Sequence, residues 1–216
     1  VYTFIKNDLN LASELLYSKI RNSNYSDNAH VSKGSAKAML AKVYLYERDY
    51  ANARLMAEEV INSGEFKLYG GVELPNKSFG ELFYTSNDNN EESIVAMQWT
   101  VGVYGVGNGC NTQFGYSSYI NENSYGGVFG PSQDLLTAFE TGDIRRKETV
   151  MLPGDVYPNI VTSDGPGLTV PDNVDAQVSG AAIKKYVVGK ASQTAGEAGA
   201  NGMMGNNTYI MRYSDV

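Results

Sequence analysis

The chain has 216 residues, a formal net charge of −7 and a pI near 4.8, which argues against nucleic acid or an anionic membrane as a partner, since either needs a basic face. Its one cysteine, Cys110, excludes an internal disulfide, and no apolar run is long enough to span a membrane as a helix. The length fits one substantial core, not obviously two domains.

The chain opens Val1-Tyr-Thr-Phe4 without a methionine, already inside an amphipathic pattern of Ile5, Leu9, Ala12 and Leu16 that predicts a helix over residues 4–18. A polar turn follows over residues 22–28, and residues 37–64 then read as two helices folded into a hairpin. Ser32 stands where it would cap the first, with Val31 as the apolar residue ahead of it. Asp49 caps the second, and Gly64 stands where a left-handed residue ends a helix. Leu40, Ala41 and Tyr44 on one helix face Ala53, Met56, Ala57, Val60 and Ile61 on the other, and Tyr50, in the turn, closes the end of the pair. Small residues at these positions let antiparallel helices approach closely, which is the spacing of a tetratricopeptide-type repeat. Such a pair presents a surface and contains no chemistry of its own, so binding or scaffolding is the first expectation.

From Glu65 the texture changes. Gly70-Gly71 and Pro75 indicate loops, with a short helix near Phe79 to Phe83 and a strand over residues 93–99. Residues 101–129 read as loop, rich in Gly, Asn and Tyr, and residues 130–142 as a helix opened by Pro131 or Ser132 and closed by Gly142. Asp143 is expected to pair locally with Arg145 and Arg146. Residues 152–175 read as an irregular excursion with one short strand, residues 182–188 regain order, and residues 195–207 are expected to be a mobile loop. The last stretch, Tyr209 to Val216, is apolar-periodic with no stop signal, and both ends suggest a piece of something longer. The expected fold is mainly α: a tetratricopeptide-like α/α hairpin scaffold with long irregular loops and a few short strands. It forms one incomplete domain over residues 1–216, with the helix pair at 33–64 and the aromatic loop at 99–129.

Four stretches together resemble the SusD/RagB family of nutrient-binding lipoproteins of the Gram-negative outer membrane. They are Tyr2-Thr-Phe-Ile-Lys-Asn-Asp-Leu-Asn-Leu-Ala-Ser-Glu-Leu-Leu16; Lys33-Gly-Ser-Ala-Lys-Ala-Met-Leu-Ala-Lys-Val-Tyr-Leu-Tyr46, continuing through Ala57-Glu-Glu-Val-Ile-Asn-Ser-Gly64; Asn90-Glu-Glu-Ser-Ile-Val95 with Gly130-Pro-Ser-Gln-Asp-Leu-Leu136, Phe139-Glu140 and Gly142-Asp-Ile-Arg-Arg146; and Tyr209-Ile-Met-Arg-Tyr-Ser-Asp-Val216, which looks like the start of that family's next helix. The resemblance implies non-catalytic binding of an oligosaccharide or polysaccharide on the extracellular face of the outer membrane. It also implies delivery to a SusC-like TonB-dependent transporter on which the protein sits as a lid. Membrane contact would come only through a lipidated N-terminal cysteine, which this chain lacks. No cofactor or metal is implied.

Residues 99–129 are the best candidate for ligand contact. They hold Trp99, Tyr104, Phe114, Tyr116, Tyr119, Tyr125 and Phe129, interleaved with Asn108, Asn111, Gln113, Asn121 and Asn123. A sugar ring is gripped by flat aromatic faces on its C–H side and by amides on its hydroxyl rim, and Gly102, Gly105, Gly107 and Gly109 let the loop curve around it. The candidate ligand-binding residues are Tyr104, Asn111, Tyr116, Tyr119, Asn121 and Tyr125. Two or three stacked rings imply roughly millimolar to micromolar affinity. The competing reading packs these rings down onto the frame and places Trp99, at the end of an apolar strand, in the core.

Other constellations point to structure. His30, the only histidine, lies in a polar turn and reads as a surface or capping residue, not as part of a Ser-His-Asp site. Asp88-Asn-Asn-Glu-Glu92 is oxygen-rich but lacks the alternating spacing and turn glycine of a calcium loop, so it reads as a solvated turn. Glu140 and Asp143, at a helix end, do not face each other as a glycosidase pair must. Gly105-Val-Gly-Asn-Gly-Cys110 lacks the helix and Lys-Ser/Thr of a phosphate cradle, and Cys110 has no activating neighbour. A protein-interaction scaffold with no sugar ligand and a glycoside hydrolase are the alternative functions.

Overall fold

Three long helices form: α1 (Tyr2–Leu15), which starts before the expected residues 4–18 and ends ahead of Leu16, and α2 (Lys33–Tyr46) and α3 (Tyr50–Asn62), where their caps place them. The computed structural model describes residues 1–19, 28–100, 106–120, 124–174, 179–190 and 203–216. Ser32 caps α2 by accepting the Ser35 N–H at 3.2 Å, and its own hydroxyl donates to the Glu65 carboxylate. Asp49 caps α3 through the Asn52 N–H at 3.2 Å, and Gly64 follows its end with φ 66°. Because Asp49 is the cap, Tyr50 is the first helical residue. Its side chain stays exposed and does not close the pair.

The described residues group into two compact units. The first comprises Val1–Ser78, Asp88–Met97 and Tyr209–Val216. In it α2 packs against both α1 and α3, so it buries a broad run of small residues, Gly34, Ser35, Ala36, Ala38 and Ala41, around Leu40. A Cβ on Gly34 would stand 2.6 Å from the Phe66 ring, so only glycine permits that approach. Ala38, Val60, Phe66, Ile94 and Met211 form the core, and burying each large side chain is worth about 1.5–3 kcal/mol. The α1 stripe of Ile5, Leu9 and Ala12 is half-buried against α2, whereas Ile61, expected to face inward, is exposed.

Strand β1 (Ser93–Met97) pairs with the chain's last strand, β6 (Thr208–Arg212), and the Ser35 hydroxyl donates to the Ile94 carbonyl at 2.8 Å, tying β1 to α2. Tyr209 to Val216 is therefore strand followed by a 3₁₀ turn (Tyr213–Asp215), not the opening of a helix; β-pairing satisfies its backbone instead. Residues 88–92 are not a solvated turn. Glu92 is 3 % exposed and accepts from the Tyr69 N–H at 2.8 Å, Arg212 at 3.2 Å and the Ser214 hydroxyl at 2.8 Å, while Asn90 donates to the Tyr209 hydroxyl at 2.6 Å.

The second unit comprises Phe79–Asn87 and Gln98–Thr208. The helix expected near Phe79 is a 3₁₀ turn (Gly80–Phe83). The expected loop over 101–129 contains a short helix, α4 (Cys110–Phe114). Helix α5 is only Gln133–Ala138: the Thr137 hydroxyl bonds back to the Gln133 and Asp134 carbonyls at 3.2 and 3.1 Å, Phe139 turns extended, and Gly142 serves the following turn with φ 87°. Helix α6 (Arg145–Thr149) leads into β2 (Val150–Met151), which pairs antiparallel with β5 (Ala182–Ile183). Asp143 does pair with Arg145, at 2.7 Å, but Arg146 pairs with Asp155.

The supposed irregular excursion is a β-hairpin, β3 (Val156–Thr162) with β4 (Gly165–Thr169). Pro158 and Pro166 are tolerated because the ribbon has two strands and the one bridge on its outer edge among the described residues, Val161 with Gly189, involves neither proline. An irregularity between Tyr157 and Val161 shifts the register, so Tyr157 and Ile160, three positions apart, both point into a core with Ile120, Met151, Leu168, Val170, Val174, Ala182 and Val187. Of the expected mobile stretch 195–207, residues 195–202 lie outside the described residues, and Met204, Asn206 and Asn207 are buried.

Candidate functional site

Buried amides tie down the aromatic segment. Asn108 pairs backbone to backbone with Met204 at 2.7 and 3.0 Å, its side-chain NH₂ donates to the Asn206 carbonyl at 2.8 Å, and its Oδ1 accepts the Cys110 N–H at 2.9 Å where α4 begins. Asn111, 2 % exposed, accepts the Val188 and Gly189 N–H groups at 3.0 and 3.4 Å and donates to the Gly189 carbonyl at 3.2 Å. Asn206 donates to the Phe83 carbonyl at 3.1 Å, and Asn207 accepts the Trp99 N–H at 3.0 Å. The candidate Asn111 thus holds backbone. Asn206 and Asn207 do the same, a role the Asn-Asn pair signals only weakly in sequence.

The rings divide into two sets. Trp99 is half-buried, with its indole N–H on the Thr208 hydroxyl at 2.8 Å. Phe114 and Tyr116 pack against the core, and Phe114 meets the Phe129 ring edge-on at 6.2 Å. The Tyr116 hydroxyl is enclosed without a partner among the described residues; burial, with a smaller contribution from neighbouring Tyr119, pushes it up to about 12.

The second set faces solvent. Tyr119 is exposed, donates its hydroxyl to Asp164 at 3.1 Å, and accepts the Ser163 N–H at 2.9 Å, which sets it on the turn of the β3–β4 hairpin. Residues 124–127 fold back along α4: the Tyr125 N–H donates to the Thr112 carbonyl at 3.2 Å and the Gly127 N–H to the Gly115 carbonyl at 3.1 Å, with Gly126 at φ 74°. That turn presents Tyr125, 63 % exposed, and Phe129 is exposed beyond it. Tyr119 and Tyr116 are brought together, and Asp164, which sequence reasoning missed, joins them. Tyr104 and Asn121 lie outside the described residues, as does Asn123.

The surface that results has backbone held by buried amides below and exposed rings above. Tyr119, Tyr125 and Phe129 offer apolar faces, and Asp164 and exposed Gln113 offer an acceptor and an amide. Elsewhere, His30 is exposed, Asp143 is engaged by Arg145, and burial pushes the Cys110 thiol up, away from nucleophilic reactivity.

No protein-family profile matches the chain. A SusD-like protein of Bacteroides ovatus is 32% identical over 235 residues, an alignment that takes in 100% of this chain and 38% of that protein. The chain belongs to the SusD-like family. This SusD-like chain spans well under half the length of the curated relative it matches. Among solved structures, one crystallised with a xylogluco-oligosaccharide superposes with a TM-score of 0.76 at 27% identity, over 99% of this chain and 42% of the other. A laminarin-binding SusD-like protein superposes with a TM-score of 0.64 at 26% identity, over 99% of this chain and 47% of the other. The SusD-like chain shares their helical, tetratricopeptide-like fold.

Proposed function

We propose that the protein binds an oligosaccharide or polysaccharide at the extracellular face of an outer membrane and passes it, chemically unchanged, to a TonB-dependent transporter. The observation that carries this reading is the solvent-facing set of Tyr119, bonded to Asp164, with Tyr125 and Phe129, on backbone clamped by buried asparagines, in a chain similar to a laminarin-binding protein and to one crystallised with a xylogluco-oligosaccharide. Aromatic faces stack on the C–H side of a sugar, and Asp164 accepts from its hydroxyls. A ligand held by two or three such rings binds at roughly millimolar to micromolar strength, which suits capture and release. The test is calorimetric titration of the full-length protein against a panel of neutral and acidic glycans. Saturable binding without new reducing ends supports the reading; no binding to any member, or release of reducing ends, defeats it.

A second reading, docking of a transporter on the helix pair, is favoured by exposed Leu45, Tyr46 and Tyr50 lining a groove of α2 and α3. Co-purification of a TonB-dependent barrel that is lost on Tyr46→Ala and Tyr50→Ala, with glycan affinity unchanged, would support it.

A further inference from the structure

The second unit also holds a cavity of about 180 Å³ formed by Tyr84, α6, β3 and residues 184–188. Tyr157, Ile160, Val187 and Val188 form the buried apolar part of its wall, and its polar lining is Tyr84, Lys147, Glu148, Asn159 and Lys184. Lys184 is 5 % exposed. Among the described residues only one acceptor reaches its ammonium group, the Val187 carbonyl at 3.3 Å, and the Tyr157 ring lies 5.7 Å from Nζ. An ammonium has three donors, so two stay unmet by the described residues and are available to a ligand in the cavity. Burial lowers the Lys184 pKa from its ordinary value, and Glu148 draws it back only through longer-range attraction. Two lysines against one glutamate give the lining a surplus of one positive charge, inside a chain whose net charge is −7.

We propose that this cavity binds a small carboxylate carrying a hydroxylated ring, of sugar-acid size and chemistry, with its carboxylate on Lys184 and its hydroxyls toward Tyr84, Asn159 and Glu148. The volume suits one ring: it equals about six liquid waters and slightly exceeds the ~150 Å³ cavity known to take benzene in an engineered protein. A single negative charge matches the surplus, whereas a dianion such as phosphate would meet repulsion from Glu148. Glu148 in turn accepts from ring hydroxyls, and the Tyr84 hydroxyl, already hydrogen-bonded by the Asn159 side chain, adds a second polar contact. The apolar wall receives the C–H face of the ring. The site holds whether or not the aromatic segment takes a glycan, because no residue is shared between them.

Calorimetric titration of the full-length protein with glucuronate, glucose, inorganic phosphate and an oligouronide tests it. Glucuronate should bind at least tenfold more tightly than glucose or phosphate. Lys184→Met should weaken glucuronate by about tenfold to a hundredfold, the usual worth of a hydrogen bond to a charged group, at an unchanged or raised melting temperature. Asn159→Ala, at the exposed rim, should weaken it severalfold and keeps the test decisive should Lys184→Met fail to fold. An oligouronide binding more tightly than the monomer identifies the end of an acidic glycan as the source; the monomer binding alone identifies a free sugar acid. Absent glucuronate binding, equal binding of glucose or phosphate, or undiminished affinity in either folded variant overturns the assignment.

Discussion

Asn111→Ala separates a ligand amide from a structural one. In the structure this side chain makes hydrogen bonds at 3.0, 3.4 and 3.2 Å to the backbone of Val188 and Gly189, all within buried surroundings. Alanine leaves two buried N–H donors and one carbonyl without that partner. Each orphaned donor costs about 1–3 kcal/mol, and allowing for relaxation the loss comes to about 2–4 kcal/mol. For a chain of this size that corresponds to a fall in melting temperature of about 5–15 °C. Calorimetric melting measures it, and amide exchange at Val188 and Gly189 should accelerate together. Glycan affinity, titrated well below the melting transition, should change less than threefold. A melting temperature within a degree of the parent, with affinity reduced tenfold or more, would show that the amide faces ligand and would refute the reasoning.

Three other predictions test other parts of the structure. Tyr119→Phe removes an exposed hydroxyl bonded to Asp164, so stability should stay within about 0.5 kcal/mol while glycan affinity falls severalfold; wild-type affinity by titration would remove the Tyr119–Asp164 pair from the site. Burial would raise the Asp155 carboxyl, but Arg146, the Leu152 N–H and the Tyr157 hydroxyl outweigh it and hold the group below its ordinary value. With the folded value the lower one, its stabilisation is complete above the unfolded value and disappears as pH falls through the folded value. Asp155→Asn should therefore lower the melting temperature at neutral pH and flatten its decline below about pH 4; an unaltered acid limb would refute this. Gly189 sits at φ 90° with a Cβ position 2.6 Å from the Val161 carbonyl oxygen, so Gly189→Ala should destabilise by about 2 kcal/mol or more, read by denaturant melting; a neutral result would contradict the backbone contact.

What was legible in the sequence is what is local. Ser32, Asp49 and Gly64 act within one helical turn of themselves, so their positions alone announce the ends of α2 and α3. The β3–β4 hairpin was not legible because Pro158, Pro166, Gly165 and Gly167 read as chain breakers, and nothing local reports that a two-stranded ribbon can place its prolines clear of the outer-edge bridge. Glu92 read as part of a solvated turn because its partners, Tyr69, Arg212 and Ser214, lie far away along the chain. The candidate site was half legible. Aromatic content placed Tyr119 and Tyr125 where exposed rings stand, but composition cannot tell an amide aimed at ligand from one aimed at backbone, and Asp164 lay in another segment.

That ambiguity has a physical source. Rings displayed outward from loops, as Tyr119 and Tyr125 are, need curved backbone outside regular ladders. Backbone taken out of helices and strands still needs partners wherever it is buried. Asparagine supplies an acceptor and two donors on the shortest amide side chain, so one residue can satisfy both an N–H and a C=O of a passing strand, as Asn111 does at Gly189. Irregular backbone therefore draws buried amides to itself for the same reason that it can carry exposed rings. Amide richness in such a segment measures how much backbone must be clamped, and Tyr119→Phe, beside Asn111→Ala, tests whether the exposed tyrosines carried by that backbone meet ligand.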